Sequence, residues 1–277
     1  MKITKHFSYK SLRQIWRILI SDSDKLILET RDTNTKEVFF HCYELESGRI
    51  IFYDLQLEEK FWLGIEAVYK DIIFFHKFPK PDLPGHKQII AFDIASQKIL
   101  WTNSDLSFLF TDDNLVYGFQ QGFEERYFFS LDYLSGELTK EFGNDYKTIN
   151  ELRSKAEDEK DWSNYIYPKI FTSDESDLRI SEAIKAQTKN LAIEGEVEYN
   201  FRSNLLFFNF HSKVFEGSFV NKFIAMNLTD GQIILDEVLN ANAAVLFTDS
   251  FFVYKNFLFL LREKNEVIVY DIEKVQD

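Results

Sequence analysis

The stretch AFDIASQKILWTN (91–103) decides the fold, because looser versions of it recur along the chain. β-forming residues alternate with polar ones up to an acid, a small polar turn follows, and a second alternating run begins, which is the plan of a hairpin. The same plan reads in CYELESGRIIFYD (42–54), SLDYLSGELTKEF (130–142), AMNLTDGQIILDE (225–237) and a shortened VYDIEKVQD (269–277). Gly48, Gly136 and Gly231 can supply the positive φ that such tight turns need. An acceptor side chain recurs just before each turn, at Glu44, Asp93, Asp132, Asn227 and Asp271. A catalytic group would not be repeated five times, so these side chains are expected to bind turn amides.

A second strand–turn–strand pattern precedes each hairpin: WRILISDSDKLILET (16–30), IEAVYKDIIFFHKF (65–78), FLFTDDNLVYGF (108–119), VEYNFRSNLLFFNF (197–210) and FFVYKNFLFLL (251–261). Each unit therefore holds four short antiparallel strands, and their recurrence predicts an all-β, five-bladed β-propeller in one domain over residues 1–277. The anchors Leu45, Ile94, Tyr133, Leu228 and Ile272 lie 49, 39, 95 and 44 residues apart. The long gap marks an insertion at 144–193, between the third and fourth blades. There TINELRSKAEDEKDW (148–162) has Thr148 and Glu151 at capping-box spacing, and DLRISEAIKAQT (177–188) pairs Ile180 with Ile184, so both read as helices. NYIYPKIF (164–171) reads as extended. The fifth copy stops where its outer strand should start, and ITKHFSY (3–9) alternates as a strand, so pairing of the N- and C-terminal strands is expected to close the ring.

The repeat around Trp101 resembles that of the pyrroloquinoline-quinone-type propellers, with Phe52, Lys140 and Leu235 standing at the tryptophan position of other copies. The order of the whole chain, with its insertion before EYNFRSNLLFFNF, is similar to an uncharacterised bacterial five-bladed propeller family of this size. These resemblances imply a fold and bring no activity, and no cofactor is expected.

Composition bounds the partners. The chain has 29 Phe, ample volume for a core, and a formal charge of −13, which repels nucleic acid and anionic membranes alike. The longest apolar runs, such as FLFLL (257–261), are far shorter than a membrane-spanning helix requires, and the N-terminus lacks the apolar block of an export signal. Cys42 is the sole cysteine and reads as a small core side chain in a reducing compartment. The expectation is a cytoplasmic monomer that binds a protein partner, with no nucleic acid and no membrane.

Strand direction puts the insertion at the same end of the blades as three long loops, FPKPDLPGHK (78–87), QQGFEERY (120–127) and HSKVFEGS (211–218). Long loops carry function more often than tight turns. The candidate contact residues are therefore His86, Phe123, Glu124, Arg126, Trp162, Tyr165, His211 and Phe215. Trp162 and Tyr165 can equally serve to dock the insertion. The five histidines show neither HxH nor HExxH spacing, so only the fold could assemble a metal site, and none is predicted. No catalytic residue is assigned and the chain reads as more a binder than an enzyme. Two alternatives stand: a glycoside-hydrolase-like enzyme using Glu66, Glu196, Glu198 and Asp249 on innermost strands, or a sensor of a small ligand in the channel.

Overall fold

A computed structural model describes residues 2–79, 85–172 and 174–273. In chain order the first strands are β1 (Lys2–Lys10), β2 (Gln14–Ile20), β3 (Lys25–Arg31), β4 (Val38–Glu44), β5 (Ile50–Leu55), β6 (Leu63–Tyr69), β7 (Ile72–Lys77), β8 (Lys87–Asp93) and β9 (Lys98–Asn103). There follow β10 (Ser107–Asp112), β11 (Leu115–Gln121), β12 (Arg126–Asp132), β13 (Leu138–Gly143), helix α1 (Tyr146–Asp158), β14 (Tyr165–Ile166), β15 (Lys169–Ile170) and helix α2 (Leu178–Thr188). The last are β16 (Ile193–Arg202), β17 (Leu205–Phe215), β18 (Ser218–Asn227), β19 (Ile233–Ala243), β20 (Phe251–Tyr254), β21 (Phe257–Arg262) and β22 (Glu266–Glu273).

The strands form five antiparallel sheets: β2–β5, β6–β9, β10–β13, the set β15-β16-β17-β18-β19, and the set β1-β22-β21-β20-β14. Three have four strands. In the other two, four strands are joined by a two-residue fifth, β14 or β15, donated by the segment that reads as an insertion. The expected partnership of the chain's first and last strands is present, with β1 against β22 from Lys2↔Glu273 to Lys10↔Glu266. The chain divides into two compact units, Arg13–Lys160 and Met1–Leu12 with Asp161–Asp277, and the β1–β22 ladder lies inside the second.

The repeat has a hydrogen-bond basis. Each anchor residue donates its backbone N–H to the carbonyl at the first turn of its own sheet: Leu45 to Asp24, Ile94 to Asp71, Tyr133 to Asn114, Leu228 to Asn204 and Ile272 to Asn256, at 2.8–3.1 Å. The third-to-fourth-strand turns close alike, with Gly48, Gly136 and Gly231 donating to the carbonyls of Glu44, Asp132 and Asn227 at 2.9 Å. Three of the five acceptor side chains bind turn amides as expected, and Glu44 binds a turn hydroxyl instead. Asp93 accepts from the Ser96 amide, Asp132 from the Leu134 and Ser135 amides, Asn227 from the Thr229 amide, and Glu44 from the Ser47 hydroxyl. Gly136 has φ +71° and also lies against Trp101, whose ring would come within 2.5 Å of an added Cβ. Trp101 in turn donates from Nε1 to the Tyr133 carbonyl, tying the second sheet to the third.

In each unit, alternation sends apolar residues to both faces of the inner strands, so neighbouring sheets pack face to face. Ile27, Phe40 and Cys42 of the first sheet meet Ile65, Phe75 and Phe92 of the second. Ile72, Phe74 and Ala91 of the second meet Leu106, Val116 and Leu131 of the third. Burial pushes the Cys42 thiol up to about 12, leaving it a protonated core side chain, as its sequence context suggests. In the other unit Phe207, Phe223 and Ala225 pack against Phe251, Leu258, Leu260 and Ile268.

The 144–193 segment is used differently from expectation. Helix α1 begins two residues before Thr148, because Asp145 caps it and accepts from the Thr148 amide at 3.1 Å; it stops at Asp158, short of the predicted 162. α1 covers the face of the third sheet that carries Phe110, Tyr117 and Phe128, through Ile149 and Ala156. α2 matches its predicted span and covers the face of the fourth sheet that carries Leu206, Phe208, Phe210 and Ile224, through Ile180 and Ile184. The helices thus pack onto sheet faces, since their apolar sides are matched by side chains of opposite parity to those in the sheet–sheet cores.

Candidate functional site

The ends of the sheets opposite the tight turns hold shorter links than the sequence suggests. β11 and β12 run on to Gln121 and from Arg126, leaving 122–125, and β17 and β18 extend to Phe215 and from Ser218, leaving Glu216 and Gly217. Only the 78–86 link stays long, and its residues 80–84 lie outside the described residues. The correction has a simple cause: HSKVF continues the alternation of β17, and its polar residues pair across the ladder as far as Phe215↔Ser218.

The eight candidate contact residues therefore separate. Phe123 is fully exposed at 101 %, Glu124 beside it is exposed, and Phe215 is 62 % exposed. Arg126 is exposed at the start of β12, with its guanidinium over Phe119 at 4.5 Å and its Nε donating to Gln121. Trp162 is exposed and meets Tyr165 edge-on, while Tyr165 is half-buried between Tyr254 and Tyr167 as part of β14. Tyr165 is a docking residue of the segment. His211 is no loop residue: it is buried within β17 and its Nε2 accepts from the Phe247 amide at 3.1 Å. Its burial lowers its pKa and keeps it neutral.

His86 belongs to an arrangement that no sequence spacing announced. It comes together with Glu66 and His76, one ligand atom of each lying within 4.8 Å of the others. Oε2 of Glu66 is 2.6 Å from Nδ1 of His86 and 2.8 Å from Nδ1 of His76. The two imidazoles stack, with centroids 3.5 Å apart and planes 6° from parallel, and Phe78 meets both edge-on. His76 is 1 % exposed, yet neither of its ring nitrogens has an aligned hydrogen-bond partner among the described residues; the 2.8 Å approach to Glu66 is close but off the N–H direction. Glu66 and His86 keep side-chain exposures of 20 % and 31 %, so the site opens to solvent on their side.

Local backbone devices build it. Between Ile65↔Phe75 and Ala67↔Phe74 the register slips, so Glu66 is the extra residue of a β-bulge, which turns a side chain out of strand alternation. The same slip recurs at Trp16 in β2 and Leu109 in β10, so the bulge is a scaffold feature that carries an acid in one copy. Opposite it, Gly64 pairs with His76, and an added Cβ would lie 2.9 Å from Cε1 and 3.0 Å from Nε2 of that ring. Gly64 makes the space that His76 fills. Ser107 Oγ donates to the His86 carbonyl at 2.7 Å, fixing the backbone there. Nearby, Arg31 donates to the fully buried Glu29 at 2.7 Å and to the Leu63 carbonyl at 2.9 Å, and Glu29 accepts the Ile65 amide at 2.9 Å. The Arg31 charge is thereby paired with Glu29, leaving Glu66 to the two imidazoles.

Burial raises the Glu66 carboxyl, but the closeness of the His76 and His86 imidazoles outweighs it and holds the group below the usual range. Burial lowers His76 against the opposing pull of Glu66.

Of the other acids weighed from the sequence, Glu198 is 8 % exposed on β16, with Oε1 accepting the Asp249 amide at 3.1 Å. Burial raises its pKa, and Asp249 and Glu196 add repulsion. Glu196 is exposed, and Asp249 precedes β20 instead of standing on a strand. Sequence reading also missed a run of buried amides in that sheet: Asn209 donates to Asn221 at 3.3 Å, and Asn221 to Ser250 at 2.9 Å. Polar residues interrupting otherwise apolar strands were its only signal.

No helix among the described residues is long and apolar enough to cross a membrane. Residues 20–101 match a domain of unknown function, DUF4905. No curated protein sequence matches the chain. Among solved structures, a DUF4221-family member from Bacteroides vulgatus is similar at 10 % identity, over 98 % of this chain and 97 % of its own, with a TM-score of 0.32. An uncharacterised Listeria monocytogenes protein gives 13 % identity over 90 % of this chain and 75 % of its own, also at 0.32. The β-propeller domain of the Trilobed protease from Pyrococcus furiosus gives 11 % identity over 97 % and 71 %, again at 0.32. Likeness at this level carries no functional argument.

Proposed function

We propose that the five sheets are the blades of one propeller ring, closed by the β1–β22 ladder, and that it acts in the cytoplasm as a monomeric binding module for a protein partner. What supports the binding reading best is the placement of the exposed aromatics, Phe123 on the second-to-third-strand link of its sheet and Phe215 at the end of β17 where the equivalent link begins. Exposed aromatic side chains of this kind anchor protein interfaces. Trp162 and Tyr167, 55 % and 54 % exposed, extend the same chemistry on the segment beside β14.

The test compares partners captured by the intact chain, by a Phe123→Ser/Phe215→Ser variant, and by Leu134→Ser at the tight-turn end, where Leu134 is 50 % exposed. Loss of a captured protein in the first variant alone supports the reading; an unchanged set in both sinks it. A second reading is favoured by one observation, the raised carboxyl of Glu198 beside Asp249, which suits a general acid in glycoside hydrolysis. Glycoside turnover that disappears in Glu198→Gln would establish it.

A further inference from the structure

We propose that Glu66, His76 and His86 bind a divalent first-row transition ion of the zinc type. The donor set is two imidazoles and one carboxylate, which suits zinc and its neighbours and not calcium or magnesium, whose ligands are all oxygen. Three protein ligands with partial exposure at Glu66 and His86 leave a coordination position for water, the pattern of an open site.

Two independent features of the scaffold point the same way. The first is the His76 ring: 99 % of it is withdrawn from solvent, both nitrogens lack an aligned partner among the described residues, and Nδ1 faces the other two ligands. A buried imidazole left unsatisfied is costly unless something else completes it. The second is local construction, with a bulge that turns Glu66 toward the histidines and a Cβ-free residue, Gly64, that leaves room for the ring. Ser107, holding the His86 carbonyl, is the kind of outer contact that fixes a ligand's position.

The geometry also states what must change on binding. Donor atoms around a tetrahedral ion with bonds near 2.0–2.1 Å stand about 3.3 Å apart. The trio, at 2.6 and 2.8 Å, must spread, and the stacked rings must fan open, because an ion on both Nδ1 lone pairs lies in both ring planes. His86, at the exposed margin, is the ring that can swing. Both imidazoles bind as neutral groups with their protons on Nε2.

The experiment uses the full chain, stripped with a chelator and titrated with Co(II) and then Zn(II). The expected result is one equivalent of Co(II) with visible absorption of a low-coordinate ion, displaced by Zn(II), and Zn(II)-dependent shifts confined to two of the five histidine rings by long-range nitrogen NMR. His86→Gln should weaken binding by more than about 100-fold, beyond the loss typical of an outer-contact mutation. Gly64→Ala, which keeps every donor and displaces the His76 ring, should also weaken it. Absence of saturable binding, shifts in other histidine rings, or unchanged affinity in folded His86→Gln would overturn the proposal. The ring shifts are read on the unaltered chain, so the test survives a variant that fails to fold.

Discussion

The two ends of the sheets obey different rules. At the tight-turn end, five anchor amides make the same bond to five turn carbonyls, and side-chain acceptors tie down the turn amides. At the opposite end three links differ: the 78–86 link brings a histidine beside Glu66 and His76, 122–125 exposes a phenylalanine, and Glu216–Gly217 is a bare turn. A scaffold must be repeated to stack, whereas a site needs only one copy of each group. Uniformity among equivalent positions marks what holds the fold, and variation marks where this chain departs from its repeat.

The sharpest way to break this contrast is at two glycines with the same φ of +71°. At Gly136→Ala the new methyl meets the Trp101 ring, so we expect a loss of about 3 kcal/mol from strain and overpacking together. Gly231→Ala, with nothing within 4 Å of its Cβ position, should lose only about 1 kcal/mol from backbone strain. Denaturant unfolding of both variants checks this, and equal losses would refute the role given to Trp101.

Midway along the first sheet, His41 sharpens the comparison through pH. Its Nδ1 accepts the Asp54 amide at 3.2 Å and its Nε2 lies 3.0 Å from Thr30 Oγ1, an arrangement that suits the neutral ring. Burial lowers its pKa to about 4 against the opposing attraction of Asp54. The folded value lies below the unfolded 6.5, so the unfolded chain binds the extra proton between them. Stability from this residue is complete above pH 6.5 and falls toward pH 4, by about 1 kcal/mol per pH unit inside that window. Urea unfolding at pH 7 and pH 5 should show the loss in the native chain and a smaller one in His41→Gln.

The smallest effect belongs to the opposite end. Phe123→Ser should alter stability by less than about 0.5 kcal/mol, because a fully exposed side chain loses no burial. A calorimetric melt would show it, and a larger drop would mean that Phe123 serves the fold.

The scaffold was legible because strand alternation and turn chemistry are local. Glycines 48, 136 and 231 and the acceptors before them follow from short-range pattern, while the pairing of residues 3–9 follows from the place the fifth copy leaves open for an outer strand. Link lengths were not, because the polar residues of 211–215 read as loop until a partner strand offers them a ladder. Nor was the cap of α1, where Asp145 does the work predicted for Thr148. The Glu66–His76–His86 trio was the least legible feature. Its three members sit on two neighbouring strands and a link, and a bulge shifts the pairing that would have related them. His76 lies in IIFFHK, where a lone histidine resembles an ordinary core residue.

The register of β1 on β22 has a mechanical consequence. Lys2 faces Glu273, so tension applied at those two positions pulls across the ladder and loads its hydrogen bonds one after another, as a zipper opens. Shear, which would strain all of them at once, is not the geometry on offer. This ladder should part under low force while the turn-linked strands β20–β22 stay paired, and a single-molecule pulling trace would record that release ahead of the unfolding of the sheets.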